Sequence, residues 1–233
     1  MNKSKQQCCG CSACQQTCPS GCIQMRQDSE GFLYPHITSK DCISCGKCIQ
    51  VCPCLHQDGR RFPVNVYAAA SPDMALRKAS SSGGLFTMLA KRIIESGGAV
   101  FGVQFDNAWK AVHGYAETED GLSRLRGSKY VQSEVNDSFS NVRSMLMDGR
   151  PVLFSGTPCQ VAGLGKFLGK DYDNLLKVDI ACYGVPSPMV WARYLKEVQD
   201  NAGGSRITGI SFRDKSGGWK DYGMKIWFED GSL

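Results

Sequence analysis

Beyond residue 62 the chain alternates short apolar runs with stretches in which apolar residues recur every three or four positions. Asn65 to Ala70, Ala99 to Phe105, Ala111 to Tyr115, Val152 to Ser155 and Lys177 to Ala181 read as strands. Gly84 to Ser96, Asp137 to Asp148, Pro158 to Leu168 and Pro188 to Asp200 carry the helical period. This alternation predicts an α/β domain with a mixed sheet covered by helices. A last pair, Ser205 to Phe212 and Met224 to Glu229, reads as strands joined by the turn Asp214-Lys215-Ser216-Gly217-Gly218. The chain stops directly after that pair, and so reads as a piece of a longer protein.

The first part has a different texture. Ile23 to Arg26 and Phe32 to Pro35 flank the polar turn Asp28-Ser29-Glu30-Gly31, a hairpin signal. Cys54 to Pro63 has turn formers and no period, which marks a linker and puts a boundary near residue 62. The expected domains are 1–61, 62–204 and, as the start of a further unit, 205–233.

Cysteine changes this picture most. Cys8, Cys11, Cys14 and Cys18-Pro19 recur as Cys42, Cys45, Cys48 and Cys52-Pro53, each displaced by 34 positions. Two such runs are the ligand set of a bacterial two-cluster ferredoxin, in which the fourth cysteine of each run serves the other cluster. Cys8, Cys11, Cys14 and Cys52 are therefore assigned to one 4Fe-4S cluster, and Cys42, Cys45, Cys48 and Cys18 to a second. Residues 1–61 read as an α+β ferredoxin-like two-cluster module, with the hairpin shielding the clusters from water. Structural zinc takes two Cys-x2-Cys pairs per metal, which fits the runs poorly. Disulfides imply an oxidising compartment, but Met1 to Gln7 is not an apolar signal segment and the 13 cysteines are odd in number.

Hydrophobic content of 42% and charged content of 21% are ordinary for a globular chain of 233 residues. No run of 18 apolar residues predicts a membrane span, and a cytoplasmic location is expected. The formal charge of +5 falls to about +1 once two dianionic clusters are counted. Lysines and arginines are scattered rather than striped, so nucleic acid is not an expected partner.

Three glycine-containing elements sit where strands hand over to helices. Ser80-Ser81-Ser82-Gly83-Gly84 reads either as a phosphate cradle at a helix start or as a structural serine cap. Gly156-Thr157-Pro158-Cys159-Gln160 puts Cys159 in a first helical turn, where the dipole lowers a thiol's pKa; a metal ligand, a redox thiol and an inert buried cysteine are all open. Asp179 to Ser187 places Cys182 after another strand, so Cys159 and Cys182 could share one site at the carboxyl end of the sheet. Two thiols do not complete a third cluster; the rest must come from Cys9, Cys22 or Cys54, or from beyond Leu233.

Together with Gly127-Ser128-Lys129-Tyr130-Val131, these elements resemble the coenzyme F-420 hydrogenase/dehydrogenase beta-subunit family. The resemblance implies a flavoprotein in which FAD lies beside a 4Fe-4S cluster. It makes Ser81, Ser82, Gly83, Gly84, Lys129, Gly156 and Thr157 candidates for FAD, and Cys159 and Cys182 candidates for a third cluster. Two departures stand out: Tyr183 replaces the histidine usual after the third-motif cysteine, and the family's C-terminal domain begins near Ile207 and is cut off. The expected function is an iron-sulfur flavoprotein oxidoreductase working with a redox partner protein or ferredoxin and a small organic hydride donor or acceptor, including a deazaflavin. A non-catalytic electron-transfer subunit and a thiol-redox protein using Cys159 and Cys182 are the alternatives.

Overall fold

The computed structural model describes residues 5–56 and 63–232. The boundary near residue 62 lies outside the described residues.

The cysteine-rich part has two short helices, α1 (Ala13–Gln16) and α2 (Lys47–Gln50), each at the third cysteine of its run. Between them β1 (Ile23–Gln27) and β2 (Leu33–Ile37) form the predicted antiparallel hairpin, with Ile23 opposite Ile37 and Gln27 opposite Leu33. Gly31 turns this hairpin at φ 83°, where a Cβ would meet the Met189 Cβ at 2.2 Å. Only glycine fits this close approach between the two parts of the chain.

The second part continues with α3 (Met74–Lys78), α4 (Leu85–Glu95), β3 (Ala99–Phe105), β4 (Ala111–Ala116), α5 (Leu122–Leu125), α6 (Ser138–Met147), β5 (Val152–Gly156), α7 (Pro158–Leu168), β6 (Leu175–Asp179), α8 (Pro188–Asn201), β7 (Ile207–Asp214) and β8 (Gly223–Phe228). Four strands form one sheet in the order β4-β3-β5-β6. β3, β5 and β6 are parallel and β4 is antiparallel to β3, so the sheet is mixed as expected. The period of two decides its faces: Phe101, Val152 and Phe154 bury with Phe139, Val142 and Leu164 on one side, while Val100 and Leu153 bury with Ala90, Leu122 and Leu125 on the other. Fully burying each of these Phe and Leu side chains contributes roughly 1.5–3 kcal/mol.

The first of these cores also takes in Cys11 and Ala13, so the cysteine-rich part is rooted in the α/β core. α7 accommodates it at Gly163, whose absent Cβ would stand 3.1 Å from the Cys11 Sγ. A third core joins Trp191 and Leu195 of α8 to Ile207, Ile226 and Phe228 of the β7–β8 hairpin. Residues 205–232 are thus packed against the preceding domain.

Asn65 to Ala70 is not a strand. Val64 and Val66 are 95% and 84% exposed, with no neighbouring strand to complete a ladder. The segment instead lies along the Ser-Gly loop, where Ser71 N donates to Gly83 O at 2.7 Å.

Candidate functional site

Cys8, Cys11, Cys14 and Cys52 line one cavity, walled by the apolar Met25 and Pro35 of the hairpin. These are the ligands assigned to the first cluster, including the cysteine borrowed from the second run. Burial pushes the Cys14 thiol up to about 12, and the nearby Cys8, Cys52 and Cys48 add to the rise. Crowded soft thiols in an apolar pocket suit a cationic iron core, which removes their protons on binding. For the second set, Cys18 Sγ lies 3.5 Å from Cys22 Sγ, and Cys42 acts electrostatically on Cys22. Cys18 therefore sits toward the second run. Cys42 and Cys45 are exposed. Among the described residues no group of three His, Cys, Asp or Glu is arranged around a single metal ion.

Cys159 departs from expectation. α7 opens with a capping box, in which Thr157 N donates to Gln160 Oε1 at 3.0 Å and the Thr157 side chain accepts from the Gln160 backbone. Cys159 follows in the first turn, 3.1 Å from Thr157 Oγ1. Its thiol is pushed up rather than down, because it contacts the Cys9 thiol and is partly buried. A neighbouring thiol and desolvation outweigh the helix dipole here. Cys54 Sγ in turn donates to Cys9 Sγ at 3.3 Å. Cys182 is exposed on the loop after β6. Gly156 pairs with Asp179 in the β5–β6 ladder, so Cys159 and Cys182 each lie three residues beyond a matched pair at the same end of the sheet.

A separate cavity of about 270 Å³ opens between the α/β sheet and the β7–β8 hairpin. Ser81 and Lys129 line it; Gly156 and Thr157 do not, and sit instead beside Cys159. Its walls include the aromatic Phe105, Phe212 and Trp227 and the cations Lys78, Arg126 and Arg213, against the one acid Asp214. Arg213 Nε is buried without a hydrogen-bond partner. An orphaned donor among cations fits an anionic ligand, and the aromatic walls fit a flat ring. The residues present thus suit an anionic ligand that carries a flat ring.

The Ser-Gly loop is organised by this cavity rather than by its helix. α4 begins at Gly84, which has φ 86° and offers no side-chain cap. Ser80 Oγ donates to Leu76 O at 2.7 Å, and Ser128 N donates to Ser81 Oγ at 2.6 Å. The buried Lys215, just past β7, donates to the carbonyls of Arg77, Ser80 and Ser82 and lies 3.8 Å over the Trp219 ring. No local pattern marks Lys215 or Arg213; they reach the loop only through the fold. Lys129 Nζ donates to the carbonyls of Arg124, Arg126 and Gly127 at 3.0, 2.9 and 3.3 Å, and burial brings it down to about 8.

A buried polar chain runs from the Thr157 turn inward. Gln160 Nε2 donates to Ser133 Oγ at 2.9 Å, and Ser133 Oγ lies 3.4 Å from His113 Nδ1. His113 stacks on Phe154 at 5.4 Å, and burial lowers it to about 4, so it is neutral at ordinary pH.

Comparison with known proteins places these parts. Residues 7–55 match the family model of the 4Fe-4S dicluster domain, and residues 66–139 match that of the coenzyme F420 hydrogenase/dehydrogenase, beta subunit N-term. No curated protein matches the chain. Among solved structures, a chain of the F420-reducing NiFe hydrogenase complex from Methanosarcina barkeri aligns at 17% identity and a TM-score of 0.43. The alignment covers 70% of this chain and 56% of that one. Among the described residues no helix is long and apolar enough to cross a membrane. The two matches cover separate parts of the chain: residues 7–55 are similar to 4Fe-4S dicluster domains, and residues 66–139 to the N-terminal part of the coenzyme F420 hydrogenase/dehydrogenase beta subunit.

Proposed function

We propose that the chain is an iron-sulfur flavoprotein oxidoreductase, or the flavin-bearing subunit of one. It exchanges electrons with a soluble redox partner such as a ferredoxin and a hydride with a small organic donor or acceptor, of which a deazaflavin is one. The observation that carries this reading is the basic, aromatic-walled cavity with the orphaned Arg213 Nε, in a chain that also holds two ferredoxin cysteine runs. FAD, when bound, supplies the link between two-electron hydride chemistry and single-electron carriers.

The chain's own residues have separable tasks. Lys78, Arg126, Lys129 and Arg213 neutralise phosphate charge, and Ser81, held by Ser128 N, presents a hydroxyl at the same wall. Phe105, Phe212 and Trp227 exclude water from the ring. Lys215 keeps the β7–β8 hairpin closed over the Ser-Gly loop. The eight run cysteines hold the cubes, and Met25 and Pro35 keep water off the first.

The test is anaerobic reconstitution followed by FAD titration. Stoichiometric FAD binding that is weakened at least tenfold by Arg213→Ala supports the reading. Iron near eight per chain with no FAD binding favours an electron-transfer subunit without flavin.

A further inference from the structure

Cys22 belongs to neither cysteine run, yet the fold delivers it to one of their members. Gly21 N donates to Cys18 O at 3.2 Å and closes the four-residue turn Cys18-Pro19-Ser20-Gly21, with proline at its second position and Gly21 at φ 63°. The turn brings Cys22 back against Cys18, and the two sulfurs lie 3.5 Å apart. Cys22 is buried and held by its backbone: it immediately precedes β1, and its carbonyl accepts from Thr38 N at 2.9 Å, just past β2. The displacement of 34 positions that relates the runs puts His56 where Cys22 stands, so this companion thiol belongs to one run and not to its copy. The second ligand set is also the more open one. Cys42 and Cys45 are exposed, whereas the first set lines an apolar cavity, and thiol oxidation follows exposure.

We propose that Cys22 is a resolving thiol, which captures Cys18 in a reversible disulfide when hydrogen peroxide strips the second cluster, and so preserves that site for rebuilding. This rests on the reading of Cys18 as a ligand of the second cluster. Once iron has left, the Cys18 sulfur attacks peroxide; the O–O bond breaks, and a sulfenic acid and one water result. The Cys22 sulfur then displaces the sulfenic hydroxyl, which leaves as a second water with the Cys22 proton, and the S–S bond forms. Two thiols are oxidised by two electrons and one peroxide is reduced to two waters. The contact of 3.5 Å puts the pair within a small side-chain movement of the ~2.05 Å bond. A dithiol reverses the step by exchange, returning both thiols and leaving as its own disulfide. Without Cys22 the sulfenic acid meets a second peroxide and becomes sulfinic acid, which thiols do not reduce.

The test is treatment of the anaerobically reconstituted 233-residue chain with a small excess of hydrogen peroxide and an iron chelator, then alkylation under denaturing conditions and peptide mapping without reduction. Before treatment the chain should hold about 8 iron. Afterwards Cys18 and Cys22 should be joined to each other and closed to alkylation. When the chelator is removed and iron and sulfide are supplied again, dithiothreitol should restore about 8 iron, and its omission should leave the second centre missing from the EPR spectrum. Cys22→Ala should start near 8 iron and regain about 4 fewer than the unsubstituted chain, even with dithiothreitol. Cys18 joined to any other cysteine, or Cys22 recovered in alkylated form, overturns the proposal. That mapping uses the unsubstituted chain, so it decides the matter even where Cys22→Ala fails to fold. Equal recovery of iron by the two chains overturns the protective role. Iron well below 8 before treatment overturns the ligand reading and the proposal with it.

Discussion

Gln132 Oε1 accepts a hydrogen bond from the backbone N–H of Leu33 at 2.9 Å, across 99 residues of sequence. Gln132 N also donates to Pro186 O at 3.2 Å. One residue thus ties the cysteine-rich hairpin to the loop that carries Cys182.

Gln132→Ala should therefore cost about 1–2 kcal/mol, because it leaves the half-buried Leu33 N–H without its acceptor. Thermal unfolding of the reconstituted protein measures this. An unchanged melting temperature would show that water replaces the side chain at no cost.

The ligand exchange between runs gives a sharper expectation. Cys52→Ser should damage the cluster held by Cys8, Cys11 and Cys14, and Cys18→Ser the one held by Cys42, Cys45 and Cys48. EPR of each variant identifies the missing centre. Loss of the cluster belonging to the substituted cysteine's own run contradicts the exchange.

Lys129 makes ligand affinity depend on pH. Burial brings its ammonium from 10.5 to about 8, so its charge disappears from the folded, empty cavity as pH rises through about 8. Affinity for FAD should fall over that range, and Lys129→Met should bind more weakly but with a flatter profile. Isothermal titration between pH 7 and pH 9 separates the two.

His113 acts on stability at the acid side. The unfolded chain takes up a proton near 6.5, whereas the buried imidazole resists until about 4. Stability conferred by the neutral form is present above 6.5 and falls as pH drops toward about 4, by roughly 3 kcal/mol in the limit. His113→Phe, which can still stack on Phe154, should flatten this limb of the melting curve. Equal slopes for both proteins would assign the acid sensitivity elsewhere.

Legibility in the sequence followed the range of each interaction. The cysteine runs and the β1–β2 hairpin are local, and spacing alone locates them. The mixed sheet was readable because its central strands β3 and β5 are buried on both faces and flanked by capped helices such as α7. Asn65 to Ala70 misled, since Val64, Val66 and Tyr67 look like strand residues but find no partner. The meeting of Cys9 and Cys54 with Cys159 depends on how α1 roots beside α7, which no window of sequence contains. Lys215 reaches Ser80 across 135 residues for the same reason. At Cys159 the helix dipole favours the thiolate locally, and Cys9 from the other domain outweighs it.

α6 begins at Asp137, whose side chain caps nothing. The service is performed by Gln16 of α1, whose Oε1 accepts from Phe139 N and Ser140 N at 3.0 and 3.2 Å. The first amides of a core helix are thus finished by a residue two positions from the Cys14 and Cys18 ligands. Metal occupancy and helix integrity then belong to one cooperative unit. Iron removal should quicken hydrogen exchange at the start of α6, and an exchange of ferredoxin modules between relatives would have to carry Gln16 with the cysteines.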